Sequence, residues 1–251
     1  MPATDWGWLV TSAELESWIL HRTPDLLVLQ KPPHTVCHPS RYGPWSSLIG
    51  ACREYLGVER LHMPFRLDRE TTGVLLFALT HETGTRLQHA VQAGAHRKQY
   101  TAIVDGRLEK AITVDSPIGP DVGAEFFSRQ WVRSDGQAAV THFEPVAHAG
   151  AYTLVRAIPV TGRRHQIRVH LASTGHPIVG DKLYGPDPSL MIEFMQHGFS
   201  ERLRAALPLE RHALHCGEVV FETALGEERF TAPLPTDMAE FWSSLSLVEA
   251  R

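Results

Sequence analysis

A carboxylate between two guanidinium groups is the most chemically suggestive feature of this sequence. Asp68 lies between Arg66 and Arg69 in a polar segment that ends at Gly73, directly before an apolar run. Nearby cations lower the pKa of a carboxylic acid and keep it ionised, as a nucleophile or a general base must be. A structural ion pair explains the same residues and is commoner in proteins, so composition alone leaves both interpretations open.

Two clusters of basic residues could bind an anionic partner. They are the segment R-R-H-Q-I-R-V-H at residues 163–170 and the segment H-R-K at residues 96–98. We predict that residues 163–172 form a short helix, which would place Arg164 and Arg168 on one face, four residues apart. Like charges at that spacing repel each other, and an anionic ligand would offset the repulsion. The net charge of −4 argues mildly against nucleic acid, so the pattern favours a local basic groove on an acidic body.

Length and composition are those of a soluble globular protein. The chain has 251 residues, of which 43% are hydrophobic and 21% are charged, which is enough for a substantial core. Its apolar runs are far shorter than the roughly 20 residues that a membrane-spanning helix needs. The N-terminus has no basic stretch followed by an apolar core, so we expect no secretory signal. The three cysteines form no C-x-x-C pair, which predicts free thiols and a cytoplasmic location.

The hydrophobic pattern predicts many strands and few helices. Buried or partly buried strands are predicted at residues 26–29, 74–79, 100–104, 139–143, 152–157 and 219–221. Thr83 is the predicted N-cap of a helix that ends near Gly94. Because the strands follow one another without a helix between every pair, an α+β fold with a largely antiparallel sheet is favoured over a doubly wound parallel sheet. No repeat or linker marks a boundary, so we expect one catalytic domain at residues 18–251 after an N-terminal extension at residues 1–17.

Several short motifs, in a consistent order, resemble those of the RluA-type RNA pseudouridine synthases. The segment F-R-L-D-R-E-T-T-G at residues 65–73 is similar to H-R-L-D-R-x-T-S-G, with Phe65 in place of the family's His and Thr72 in place of its Ser. Two early matches are Lys31-Pro32 to K-P and His38-Pro39 to H-P, and Lys98-Gln99-Tyr100 matches K-x-Y. Residues 161–170 match T-G-R-x-H-Q-I-R-x-H, and residues 180–185 match G-D-x-x-Y-G. Residues 211–215 match R-x-x-L-H, and residues 233–235 match P-x-P. Motifs in register over nearly the whole chain are far more specific than a single one. The resemblance is to the subfamily that lacks an S4 RNA-binding domain.

The resemblance implies the isomerisation of uridine in RNA to pseudouridine. It assigns Asp68 as the catalytic aspartate, Tyr100 as the residue that stacks on the base, and Arg168 as the cation that pairs with the aspartate. Arg66 matches the position associated with opening the RNA and filling the space of the extruded base. A base inside a helix has to be flipped out before it reacts, and an aromatic face offsets part of the unstacking cost. Asp68 could attack the sugar, attack the ring or abstract a sugar proton, and the sequence does not choose among these.

The resemblance also implies a fold and a partner. The fold would be a mixed, mainly antiparallel sheet with flanking helices and a central RNA-binding cleft. The partner would be a stem-loop of tRNA or rRNA, with a slight preference for a tRNA arm, bound by a monomer without cofactor, metal or membrane. The side chains expected to contact RNA are Arg66, Arg69, Arg97, Lys98, Arg163, Arg164 and His165.

Two other functions stay open at this point. A catalytically inactive RNA-binding protein of the same fold is disfavoured because Asp68, Tyr100 and Arg168 are retained together. A hydrolase that cleaves glycosidic or phosphoester bonds ranks lower. Glycosidases usually pair two carboxylates, and Glu70 is the only obvious local candidate for the second.

The remaining polar motif residues are expected to be structural. Asp181 and Tyr184 would hold a turn near the site. His212, His215 and Cys216 resemble half of a zinc site, but structural zinc needs four ligands at recognisable spacing. We therefore expect no metal there.

Overall fold

Helices and strands alternate irregularly along the chain. The computed structural model describes residues 9–38, 43–124 and 128–249; residues 1–8 of the predicted extension and Pro39 of the H-P motif lie outside them. In these ranges the helices are α1 (Ser12–Ser17), α2 (Leu48–Leu56), α3 (His81–Gln92), α4 (Gln166–Ser173), α5 (Ser189–His197), α6 (Glu201–Ala206) and α7 (Thr236–Glu249). The strands are β1 (Ile19–Arg22), β2 (Leu26–Lys31), β3 (Thr72–Ala78), β4 (His96–Asp105), β5 (Ile112–Asp115), β6 (Ile118–Pro120), β7 (Gln130–Val132), β8 (Val140–Ala149), β9 (Tyr152–Pro159), β10 (Leu214–Thr223) and β11 (Gly226–Thr231).

The backbone divides into two compact units. Unit 1 consists of Met1–Lys98 and Cys216–Pro233, and unit 2 consists of Gln99–His215 and Leu234–Arg251. Strands β4 and β10 have residues in both units. The α+β class and the mainly antiparallel sheet are confirmed. The single catalytic domain at residues 18–251 stays a prediction.

Unit 1 is built on two apolar strands. The order of its strands is β1, β2, β3, β10, with β11 paired to β10, and β2 is antiparallel to both β1 and β3. All seven residues of β3 are buried, as are the four residues 26–29 of β2. Continuous apolar runs of this kind suit strands that are covered on both faces. The predictions at residues 26–29 and 74–79 are therefore confirmed, with small shifts at the strand ends.

Helix α3 begins earlier than expected. The N-cap is Thr80, whose hydroxyl oxygen accepts a hydrogen bond from the backbone amide of Thr83. The prediction of Thr83 as N-cap is wrong, because Thr83 lies in the first turn. There its own hydroxyl donates to the Asp25 carboxylate at 3.0 Å. The helix ends at Gln92, two residues before Gly94.

Unit 2 is a second antiparallel arrangement with its own core. Its strands are ordered β4, β9, β8, β5, and a separate hairpin is formed by β6 and β7. Strands β4, β8 and β9 confirm the predictions made for this region and are longer than predicted. A hydrophobic cluster connects α4 with the surrounding loops and consists of Ile118, Ala139, Val169, Leu183 and Tyr184.

Helix α4 begins three residues later than predicted. The side-chain carbonyl of Gln166 accepts hydrogen bonds from the backbone amide of Arg163, at 2.9 Å, and from the hydroxyl of Thr161, at 2.8 Å. These bonds hold the preceding segment in a turn, so the helix starts only at Gln166. The prediction that Arg164 and Arg168 share a helix face is wrong. Arg164 is exposed in the turn, whereas Arg168 is buried in the helix.

The three cysteines are free thiols in the interior of the protein. Cys37, Cys52 and Cys216 are all buried. Burial raises the pKa of the Cys52 thiol to about 12. Burial also raises the pKa of Cys37, although the nearby Lys31 acts in the opposite direction.

No helix in the described ranges combines the length and the apolar character needed to cross a membrane.

Candidate functional site

Asp68 lies in unit 1, in the irregular segment that leads into β3. The residue is partly exposed, as are its neighbours Arg69 and Glu70, while Leu67 before it is buried. The backbone carbonyl of Asp68 accepts a hydrogen bond from the amide of Thr71 at 3.2 Å, which closes a turn. The carboxylate is therefore presented from a tight turn whose apolar side is packed inward.

A buried lysine anchors this turn from below. Lys31, at the end of β2, has no exposed surface, and its ammonium group donates to the carbonyl oxygens of Pro32 and Arg69, each at 2.8 Å. The Cys37 thiol lies 3.4 Å from the carbonyl of Leu67 and donates to it. The backbone is thus held on both sides of Asp68. The sequence marks Lys31 only as part of the K-P motif; the signal for its anchoring role is a lysine that ends a strand whose residues 26–29 are all apolar.

Gly73 fixes the far end of the turn. Its φ is +118°, a value that residues other than glycine rarely adopt. A Cβ atom at this position would lie 2.1 Å from the carbonyl oxygen of Cys216 in β10. The direct approach of β10 to the start of β3 therefore requires glycine, and it fixes the point from which the Asp68 turn departs.

The two arginines beside Asp68 differ in their surroundings. Arg66 is exposed, so its guanidinium is available to a ligand. Arg69 is partly exposed, and burial lowers its pKa although the Glu70 carboxylate acts in the opposite direction. Of the two, Arg66 fits better as a contact to an anionic partner.

Phe65 contacts a lysine predicted to bind RNA. The Lys98 ammonium lies 5.0 Å from the centre of the Phe65 ring, a cation–π distance. Lys98 is buried, with 8% of its surface exposed, and burial lowers its pKa while the Cys216 thiol acts the other way. Phe65 therefore contacts a buried ammonium group. Arg97, one position earlier in β4, is exposed.

Tyr100, the predicted stacking residue, lies in the part of β4 that belongs to unit 2. Only 6% of its surface is exposed. Its backbone pairs with Ala157 of β9 in an antiparallel register. A regular strand therefore fixes the position from which the aromatic ring projects.

Arg168 forms a buried, bidentate ion pair with Asp181 in unit 2. Nε donates to Oδ2 at 2.7 Å, and Nη2 donates to Oδ1 at 2.9 Å. Oδ1 also accepts from the backbone amides of Leu183 and Tyr184, at 2.9 and 3.1 Å. Burial alone would raise the pKa of Asp181, but the charge and hydrogen bonds of Arg168 outweigh it and hold the pKa well below its usual range. The carboxylate is therefore ionised at neutral pH.

The Tyr184 ring covers one face of Arg168. The guanidinium carbon of Arg168 lies 4.9 Å from the ring centre. The Tyr184 hydroxyl lies 2.7 Å from Nδ1 of His165 and accepts a hydrogen bond from the backbone amide of Gln130 at 2.9 Å. His165 precedes α4 with a φ of +57°, in the left-handed region. His165 and Arg168, which were predicted separately, are thus joined through Tyr184.

Arg163 and Arg164 lie on the surface of the same unit. Both are exposed, and the Arg163 Nε donates to the carbonyl of Ala138 at 2.9 Å. His165 is partly exposed beside them. The three residues form a short basic surface just before α4.

No cluster of three or more histidine, cysteine, aspartate or glutamate side chains suited to a metal ion occurs in residues 9–38, 43–124 and 128–249.

Unit 1 therefore offers the carboxylate of a partly exposed aspartate on a fixed turn, and unit 2 offers a buried, oriented guanidinium and a buried aromatic ring. A carboxylate of this kind can serve as a nucleophile or a base. An oriented cation can stabilise negative charge.

Known proteins resemble this chain in sequence and in structure. The family of RNA pseudouridylate synthases matches residues 25–173. Over 234 residues, the chain is 36% identical to ribosomal large subunit pseudouridine synthase D of Vibrio vulnificus and 33% identical to the protein of that name in Yersinia pestis. Each match covers 90% of this chain and 70% of the relative. Among solved structures, human RNA pseudouridylate synthase domain containing 4 has a TM-score of 0.71 and 26% identity, covering 93% of this chain and 94% of that chain.

Proposed function

The chain belongs to the RNA pseudouridylate synthase family, and from that premise we propose that Asp68 is the residue on which its reaction depends. The activity is the isomerisation of uridine in RNA to pseudouridine. The observation that supports Asp68 is its partly exposed position on a turn anchored by the buried Lys31 and by Gly73. A reacting group has to be held in place and still be reachable, and this turn provides both conditions.

The chemistry makes limited demands on the protein. The bond between the sugar C1′ and the uracil N1 breaks, the base turns, and a bond forms between C1′ and C5. The C5 proton is lost and N1 gains a proton, so the product has the mass of the substrate and no net oxidation occurs. Asp68 starts this sequence by attacking the sugar, by attacking the ring or by removing a sugar proton.

Tyr100 and Arg168 are proposed to support the same reaction. Stacking of the flipped uracil on the Tyr100 ring would offset part of the cost of removing the base from its helix. Arg168 would organise the Asp68 carboxylate and stabilise negative charge that develops on the base. Arg66, which is exposed next to Asp68, would enter the space that the flipped base leaves.

The proposed RNA contacts fall into two groups by exposure. Four arginines are exposed and suited to phosphate groups, namely Arg66, Arg97, Arg163 and Arg164. Arg69 and His165 are partly exposed. Lys98 is the least accessible of the set, so we assign it to holding Phe65 in place rather than to phosphate.

The RNA target is proposed to be the RNA of the large ribosomal subunit. The two bacterial relatives carry that subunit in their names, and this outweighs the slight preference for a tRNA arm that the sequence alone suggested. We further propose that the protein works as a monomer in the cytoplasm.

Mapping of pseudouridine tests the function and the target together. RNA from cells with and without the gene would be compared at single-nucleotide resolution, and the purified protein would be added back to RNA from the deletion strain. We expect one or a few sites in large-subunit ribosomal RNA to lose the modification and to regain it without a change in mass. Sites confined to tRNA would refute the target, and a change in mass would instead indicate a hydrolase.

A further inference from the structure

Arg168 is fixed on one edge and on one face by two neighbouring residues. We propose that Asp181 and Tyr184 are positioning residues of the reaction and that they act on it through Arg168. The inference rests on the proposed function, because it requires Arg168 to take part in the chemistry. It revises the sequence-based expectation that these two residues only hold a turn.

The ion pair fixes the plane of the guanidinium group. Because Nε and Nη2 both donate to Asp181, at 2.7 and 2.9 Å, the group cannot rotate without losing at least one of the bonds. Asp181 is itself held by the backbone amides of Leu183 and Tyr184. The planar guanidinium therefore presents its Nη1 side away from Asp181 in a single orientation.

The Tyr184 ring restricts the remaining motion. It lies against the face of the guanidinium at 4.9 Å, and hydrogen bonds at its hydroxyl oxygen connect it to His165 and to the backbone of Gln130. The guanidinium carbon of Arg129 also lies 5.5 Å from the centre of this ring. Tyr184 thus connects the turn before α4, the hairpin of β6 and β7, and Arg168 itself.

Stability alone explains this arrangement poorly. Taking two charges out of water is costly, and apolar residues of similar volume often give equal or greater stability. Arg168 is 8% exposed and Asp181 is 0% exposed at the side chain, so the pair bears that cost in full. An arginine that has to keep its charge and its direction inside the protein explains why the pair is kept.

A second ion pair of unit 2 provides a matched control. Arg211 donates from Nε and Nη2 to Asp237 at 2.7 and 2.8 Å, with the same bidentate geometry. The Arg211 side chain is 2% exposed and that of Asp237 is 41% exposed. Asp237 has no place in the proposed catalytic machinery. Asp181→Asn and Asp237→Asn therefore break similar pairs, only one of which is proposed to act on the reaction.

Single-turnover kinetics on RNA that carries the target uridine test the proposal. For Asp181→Asn we expect the rate constant at saturating enzyme to fall about 100-fold, because a displacement of a reacting group by about 1 Å has an effect of that size. The half-saturating enzyme concentration should change less than about threefold. Asp237→Asn should keep a rate within about threefold of the unmodified protein, even if its melting temperature falls as much as that of Asp181→Asn. Asp181→Glu, which keeps the carboxylate, should recover part of the loss. Tyr184→Phe, which keeps the ring and removes the hydroxyl with its hydrogen bonds to His165 and Gln130, should slow the reaction about 10-fold.

Combining the variants separates positioning from general damage. In an Arg168→Lys background, which cannot form the bidentate pair, Asp181→Asn should slow the reaction further by less than about threefold, because the two residues act as one unit. Equal losses in both backgrounds, or a folded Asp181→Asn protein with nearly normal rate, would overturn the inference. If Asp181→Asn fails to fold, Asp181→Glu and Tyr184→Phe decide, and normal rates in both would overturn it. An unmodified protein that forms no pseudouridine would instead refute the proposed function.

Discussion

The Asp68 turn and the Arg168–Asp181 pair use the same two residue types in opposite ways. In the first, an aspartate stands between two arginines in the sequence, and it is a partly exposed residue on a turn held by other residues. In the second, aspartate and arginine are 13 residues apart in the sequence, and they form a buried bidentate pair. Proximity in sequence therefore did not identify Asp181 as the partner of Arg168.

The two regions differ in what their aspartate does: Asp68 is proposed to react, whereas Asp181 holds an arginine in place. The turn that carries Asp68 is held at its backbone, by Lys31 and by the glycine at position 73. The Asp181 carboxylate is fully engaged by one guanidinium and two amides. We therefore expect the free energy of unfolding to depend more on Asp181 than on Asp68. The reaction rate should depend directly on Asp68.

The largest effect is expected at Asp68. Asp68→Asn should abolish pseudouridine formation and leave the melting temperature within about 3 °C, because a partly exposed carboxylate contributes little to stability. Purified protein would be assayed on target RNA and unfolded in parallel by calorimetry. Residual activity above a few per cent would remove Asp68 from its assigned role and end the comparison.

Arg168→Met should reduce both activity and stability. Removal of the guanidinium leaves the Asp181 carboxylate buried without its charged partner, which costs about 3–5 kcal/mol, equivalent to a fall in melting temperature of about 10 °C for a chain of this size. The double variant Arg168→Met/Asp181→Leu should regain most of the melting temperature and none of the activity. Recovery of both together would show that Arg168 matters only for folding.

The salt dependence of RNA binding should report the phosphate contacts of the exposed arginines. Single-stranded contacts give a log–log slope of about −0.7 per phosphate, so the four exposed arginines proposed to contact RNA should give a slope of about −3. Replacing Arg163 and Arg164 by glutamine should make this slope shallower by about 1.4 units and weaken binding to different RNAs about equally. Filter binding between 50 and 400 mM salt provides the measurement. A slope near zero in the unmodified protein would contradict binding through phosphate contacts.

The smallest effect concerns acid stability. Because the pKa of Asp181 is lowered in the folded protein, the pair stabilises the fold above the ordinary aspartate pKa of about 3.9, and this contribution is lost as the pH falls below that value. The unmodified protein should therefore melt above Asp181→Asn at pH 7, and the gap should narrow progressively between about pH 4 and pH 2.5. A gap that is independent of pH would show that the charge of Asp181 contributes nothing to stability.

Local sequence was sufficient for the features that depend on local pattern. The apolar runs of β2 and β3 identified both strands, and the residues around Asp68 identified the segment before β3. Thr80 and Thr83 are equally good N-caps by residue type. Thr80 takes the role and Thr83 instead contacts Asp25, 58 positions away in the sequence. A local pattern contains no information about such a partner.

The errors in unit 2 have the same origin. The side chain of Gln166 bonds back to Thr161 and Arg163 and delays the start of α4, so the predicted helix face with Arg164 does not form. The pairing of Arg168 with Asp181 depends on how the loop after α4 folds back, which no spacing rule specifies. The G-D-x-x-Y-G motif marked both Asp181 and Tyr184, but it gave no indication of the arginine that they hold.

The burial of all three thiols makes the protein convenient for site-specific chemistry. Maleimides react with exposed thiolates, and Cys37, Cys52 and Cys216 are buried, with the pKa of Cys52 raised to about 12. A single cysteine introduced at an exposed position such as Arg97 should therefore be labelled selectively at pH 7 without removal of the native cysteines. A fluorophore placed there would report the arrival of RNA at the basic surface in real time, and the unmodified protein would serve as an unlabelled reference.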